Sequence, residues 1–124
     1  MINNFYLFYC NGTERSQNNQ GWSVYVKKGN NPNDLLTNKP YEVLRSEKSL
    51  AAPDVAFYNN FYYLLAKKLN KTNDKWGTTV FQSDEVDKAY PRVTNNPILS
   101  QNNACASQYV SDGNLYVIYS LSES

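Results

Sequence analysis

A short aromatic segment occurs three times in this chain, and the repeat constrains the fold more than any other feature of the sequence. Asn3-Asn4-Phe5-Tyr6-Leu7-Phe8-Tyr9 returns as Asn59-Asn60-Phe61-Tyr62-Tyr63-Leu64-Leu65, and more weakly as Gly113-Asn114-Leu115-Tyr116-Val117-Ile118-Tyr119. The copies begin at positions 3, 59 and 113, which are 56 and then 54 residues apart. A period of about 50 residues is typical of supersecondary units that stack because none can bury its apolar face alone.

The rest of the chain reads as short apolar runs bounded by Asn, Gly, Asp and Pro, with no sustained helical periodicity. Asn59-Asn60 and Asp112-Gly113 are favourable hairpin turns. Trp22 and Trp76 recur in equivalent strands, which favours packing between units. We predict nine strands, at 4–10, 21–28, 41–46, 51–58, 61–68, 76–83, 90–94, 104–110 and 114–121.

These strands group into repeated units of four antiparallel strands. The unit at 51–94 is complete, the one at 1–46 lacks its first strand, and the one at 104–121 holds two strands. We therefore predict an all-β single domain, 1–124, made of about two and a quarter β-propeller blades, with a β-sandwich as the alternative. Because two blades cannot close a ring, we expect further blades from other chains or a homo-oligomer to cover the open ends.

Composition narrows the function classes. The chain has 124 residues and a formal net charge of +1, so no strong field attracts nucleic acid or a membrane surface. It carries neither a long apolar segment nor a signal peptide pattern, and we expect a soluble protein. Histidine is absent, and Cys10 and Cys105 are isolated, so we expect free thiols, no metal site and no cofactor.

Carboxylates are then the main candidates for chemistry, and Asp54 differs from the others. Most acidic residues lie in polar loops, whereas Asp54 begins an apolar strand, after Ala51-Ala52-Pro53. We expect it on the inner strand of its blade, either facing the channel mouth or bonded to neighbouring backbone.

The segment Ala52-Pro53-Asp54-Val55, followed by the Asn-Asn turn, Phe61-Tyr62-Tyr63-Leu64-Leu65 and the Trp76 strand, resembles five-bladed propeller glycosidases of the arabinofuranosidase and xylosidase type. The related fructan and sucrose hydrolases look similar. The resemblance covers roughly residues 3–121. It implies that Asp54 matches the carboxylate that tunes and orients the catalytic pair.

That family's reaction needs two further carboxylates, a base or nucleophile and a general acid. In our alignment of the repeats, Gln108 stands where Asp54 stands in the preceding unit, and amides do not titrate. Tyr58, Gln108 and Tyr109 lie near the predicted inner strands and are candidate glycan ligands, since aromatic rings stack on sugars and amides bind hydroxyls. We expect glycan binding, with hydrolysis only in a completed propeller; the alternative is a structural module that assembles through its open ends.

Overall fold

The computed structural model describes residues 4–12, 21–47, 49–70, 75–94, 97–99 and 103–121. Eight strands and one short helix lie in these ranges. They are β1 Phe5–Gly12, β2 Trp22–Gly29, α1 Asp34–Thr37, β3 Tyr41–Ser46, β4 Leu50–Tyr58, β5 Phe61–Asn70, β6 Lys75–Ser83, β7 Asn103–Ser111 and β8 Asn114–Leu121. The all-β prediction is confirmed. Within the described ranges, α1 is far too short to cross a membrane, and no other helix could do so.

The strands form three antiparallel sheets, each in sequential order. The first sheet has the order β1-β2-β3, the second β4-β5-β6, and the third is the pair β7-β8. β4 lies against β1 of the first sheet and against β7 of the third, so the second sheet is packed between the other two.

Two tight hairpins fix the register of the second and third sheets. Asn59 and Asn60 have φ values of 51° and 70°, and Asp112 and Gly113 have 52° and 78°. Two successive residues with positive φ match the twist of antiparallel strands, and Asn, Asp and Gly adopt this conformation most readily. The predicted turns are therefore confirmed, and residues Tyr58 and Phe61 face each other across the first of them.

The predicted strand at 90–94 is wrong as a continuous element. Arg92 makes one isolated bridge to Phe81, and Leu99 makes another to Thr78. Pro91 lacks an N–H and can contribute to this edge only through its carbonyl, which accepts from Gln82 N–H at 3.0 Å. The outer edge of β6 is consequently paired by two short segments, around 91–93 and 98–99, rather than by one strand.

The main core lies between the first and second sheets. Its members are apolar and at most 4% exposed: Val24, Val26, Val43, Leu50, Leu64, Ala66, Phe81 and Tyr90. Tyr6, Phe8, Cys10 and Trp22 pack against this core from one face of the first sheet. Since side chains alternate along a strand, Phe5, Leu7 and Tyr9 point to the opposite, outer face of that sheet. Trp22 packs between sheets, as predicted.

Candidate functional site

A backbone bulge positions Asp54, the main candidate from the sequence. Ala51 pairs with Lys67 and Asp54 with Leu65, so two β4 residues stand against one residue of β5. Ala52, inside this bulge, has a φ of 52°, a left-handed conformation that is unusual for alanine. Bulges turn a strand and redirect its side chains. Here the bulge leaves the Asp54 side chain facing the third sheet.

The Asp54 carboxylate binds across the gap between the second and third sheets. Its Oδ2 accepts a hydrogen bond from the backbone N–H of Gln108 at 2.8 Å and lies 3.4 Å from the Gln108 amide nitrogen. The same amide nitrogen donates to the carbonyl oxygens of Asp54 and Tyr63, both at 3.0 Å. Asp54 and Gln108 thus form one polar cross-link that joins β4 and β5 to β7.

The sheet register corrects the expected equivalence of these two residues. Positions in the two sheets correspond when they are counted back from the hairpin pair, which is Tyr58–Phe61 in the second sheet and Ser111–Asn114 in the third. Asp54 pairs with Leu65 in the second sheet. The corresponding position in β7 is Ser107, which pairs with Ile118. Gln108 is one residue further along the strand, on the opposite face. This shift explains why Asp54 and Gln108 face each other instead of occupying the same place in successive units.

Tyr58 forms a second link between the same two sheets. Its hydroxyl donates to the carbonyl of Gly113 in the β7–β8 turn at 3.0 Å. Asp54, Tyr58 and Gln108 are therefore brought together by the packing of the third sheet on the second, and each bonds to a neighbouring strand or turn.

Tyr109, the fourth predicted residue, lies apart from this cross-link. Because Gln108 faces the second sheet, Tyr109 faces the outer side of the third sheet. Its ring stacks on Tyr116 of the neighbouring strand, with centroids 5.0 Å apart and planes 15° apart. Tyr109 is 46% exposed and Tyr116 is 42% exposed. The stacked pair is an exposed aromatic group next to exposed Ile118.

The Asp54 carboxylate is engaged in packing between sheets. Its hydrogen-bond partners are amide groups, and Glu42 bonds instead to Ser23 in the first sheet. Within the described ranges, no three His, Cys, Asp or Glu side chains come together as a metal centre would require. The arrangement around Asp54 can hold two sheets together.

Sequence reasoning missed a polar depression on the outer face of the first sheet. Its lining residues are Asn11, Gly12, Gly21, Ser23, Tyr25, Glu42 and Arg45. Tyr25 stacks on Tyr9, with centroids 5.7 Å apart and planes 27° apart. Burial, with a contribution from Tyr25, raises the pKa of Tyr9. Alternating polar and aromatic residues in β1 and β2 were the available signal for this face.

The comparisons with known proteins bear on the fold. No family model matches the sequence, and no curated protein matches it either. Among solved structures, an endo-1,4-β-xylanase from Bacteroides thetaiotaomicron VPI-5482 is similar with a TM-score of 0.65 and 18% sequence identity. The similarity covers 92% of this chain and 43% of the xylanase chain. The chain therefore shares its fold with slightly less than half of a glycoside hydrolase.

Proposed function

We propose that this chain binds a glycan without cleaving it, on a scaffold of β-propeller blades. The observation that carries the proposal is the structural role of the Asp54 carboxylate. Its carboxylate is bonded to the Gln108 amide groups as a link between sheets. A fold that resembles part of a xylanase is thus combined with an acidic residue engaged in packing.

Three features support blades as the scaffold. Each sheet is antiparallel with its strands in sequential order, and the first strand of the second sheet lies against both neighbouring sheets. Blades of a propeller stack in this manner. Three stacked sheets also fit this arrangement better than the two facing sheets of a sandwich.

The aromatic pair of Tyr109 and Tyr116 is the proposed binding surface on the third sheet. Exposed, nearly parallel rings offer an outer ring face on which a sugar ring stacks, as in many glycan sites. The xylanase similarity makes β-1,4-xylan oligosaccharides the first ligands to test.

Isothermal titration of the chain with xylohexaose, cellohexaose and laminarihexaose tests this function. We expect binding of at least one of these oligosaccharides, weakened in Tyr109→Val and unchanged in Tyr41→Val. Tyr41 is a matched control because it is also an exposed strand tyrosine, at 59%. Product analysis after long incubation should show intact oligosaccharide. Absence of binding to all three ligands, or release of shorter sugars that Asp54→Asn abolishes, would refute the proposal.

Assembly through the outer sheet faces is the second candidate function. Tyr109, Tyr116 and Ile118 on the third sheet, and Phe5 and Leu7 on the first, are each more than two-fifths exposed. Aromatic and aliphatic groups in such numbers on sheet faces favour association. Size-exclusion chromatography with light scattering tests this candidate. A defined oligomer that Ile118→Lys converts to monomer would support it, and a monomer at all concentrations would exclude it.

A further inference from the structure

The outer face of the first sheet carries a second set of aromatic and polar groups, arranged in rows across its three strands. One row consists of Asn11, Ser23 and Arg45, which are consecutive partners in β1, β2 and β3. The next row consists of Tyr9, Tyr25 and Glu42. Two adjacent rows therefore place an aromatic pair beside an amide, a hydroxyl, a carboxylate and a guanidinium.

A hydrogen bond orients the Glu42 carboxylate, which is exposed and lines the depression. Ser23, which is 6% exposed, donates its hydroxyl hydrogen to Glu42 Oε2 at 2.8 Å. A carboxylate has acceptor positions for several donors, so this bond leaves it able to accept hydroxyl groups of a ligand. A buried residue that orients a polar one reduces the entropy lost when a ligand binds.

The two glycines of the lining allow close packing at this end of the strands. Gly21 has a φ of 72°, a conformation that favours glycine. A β-carbon added at Gly12 would lie 2.3 Å from the Trp22 ring, so only glycine fits there.

We propose that this depression is a binding site for a neutral sugar ring, which stacks on Tyr25 and donates vicinal hydroxyls to Glu42. The inference rests on the proposed glycan-binding function and assigns it a site separate from Tyr109. Glu42 and Arg45 contribute opposite formal charges, so the site favours a neutral ring over an anionic or cationic ligand. The Asn11 amide supplies donors for ring and hydroxyl oxygens.

Nuclear magnetic resonance titration of the full chain with xylohexaose is the first test. We expect the backbone amide signals of Asn11, Ser23, Tyr25 and Glu42 to shift with a common saturation curve. This measurement needs no variant and is independent of folding defects.

Variants then separate the site from the proposed function as a whole. We expect Glu42→Ala and Tyr25→Val each to weaken binding at this site by about fivefold or more, the range expected for a lost stacking or charged contact. Tyr41→Val, on the same strand as Glu42, should bind as the wild type does. Melting curves confirm that each variant is folded.

The two proposals fail in different ways. Binding that is lost in Tyr109→Val but unaffected by Glu42→Ala and Tyr25→Val, without shifts at the four amides, would overturn the second site alone. Absence of any shift in the whole chain with xylohexaose, cellohexaose and laminarihexaose would overturn both proposals.

Discussion

The two interfaces between neighbouring sheets are built from different interactions. The first and second sheets meet through eight buried apolar or aromatic side chains, including Leu64 and Phe81. The second and third sheets meet through hydrogen bonds of Asp54, Gln108 and Tyr58. In the part of the chain that the structure describes, the buried apolar residues outside the main core are Leu65 and Ala106. Apolar burial scales with area and tolerates small shifts, whereas hydrogen bonds depend on geometry. We therefore expect the third sheet to open locally before the rest of the chain unfolds.

Removing side-chain volume from the first interface should produce the largest loss of stability. Leu64 is fully buried in the core, and Leu64→Ala both removes transfer free energy and leaves a cavity. We expect the free energy of unfolding to fall by about 2–5 kcal/mol. Chemical denaturation followed by tryptophan fluorescence measures this change. Leu36→Ala is the matched control, because Leu36 is 78% exposed. Its substitution should lower the free energy of unfolding only slightly. Equal losses in the two variants would contradict the assigned core.

Breaking the polar cross-link should have a smaller effect that is confined to the third sheet. Asp54→Ala leaves the Gln108 N–H without its carboxylate acceptor, and an unpaired, partly buried donor costs about 1–3 kcal/mol. Hydrogen exchange should accelerate at Gln108 and its neighbours in β7, with little change in β2. Asp54→Asn should be milder, since its carbonyl oxygen can still accept the hydrogen bond.

Asp84→Ala controls for loss of a negative charge, because Asp84 is exposed at the end of β6. Faster exchange throughout all three sheets in Asp54→Ala would show that the polar and apolar interfaces unfold as one unit.

The sequence pattern predicted strands and hairpin turns well, but it predicted the faces of those strands poorly. The turns at Asn59-Asn60 and Asp112-Gly113 depend on local backbone preferences, which follow directly from the residue types. The register between β7 and β8 determines which face of the sheet carries the Gln108 side chain, and a shift of one residue moves that side chain to the opposite face. Because the spacing between the repeats varies, an alignment of the repeats does not determine the register of strand pairing to within one residue.

The partners of Asp54 were also beyond sequence reasoning. Whether a carboxylate faces a channel or a neighbouring strand depends on packing between sheets, and Ala52 gives no sequence signal of its left-handed conformation. The polar depression of the first sheet was missed for a related reason. Its residues come from three strands, and their alignment in rows exists only after pairing.

A substitution in the bulge beside Asp54 should slightly stabilise the interface between the second and third sheets. Ala52 adopts a φ of 52°, which glycine populates without steric cost. We expect Ala52→Gly to alter the free energy of unfolding by no more than about 1 kcal/mol, in the stabilising direction, because relief of strain outweighs the added flexibility of the unfolded chain. Thermal melting measures the change. Ala56→Gly, in the same strand outside the bulge, should destabilise instead.

Cys10 reports on opening of the apolar interface without altering it. Burial raises the pKa of the Cys10 thiol to about 11. An unfolded cysteine has a pKa of about 8.5, so the unfolded chain loses this proton first as pH rises. The stabilising contribution is therefore complete below a pH of about 8.5 and is lost as pH rises toward about 11, the folded-state pKa.

Iodoacetamide labelling at pH 8 uses this property, with Cys105→Ser as background so that Cys10 is the labelled thiol. We expect the native chain to react about 10²-fold more slowly than an unfolded cysteine, since thiolate is the reactive form. Leu64→Ala should accelerate labelling, because it loosens the interface against which Cys10 packs. Asp54→Ala should leave the rate unchanged, because its effect is confined to the third sheet. Acceleration by Asp54→Ala as large as that by Leu64→Ala would mean that the polar and apolar interfaces open together.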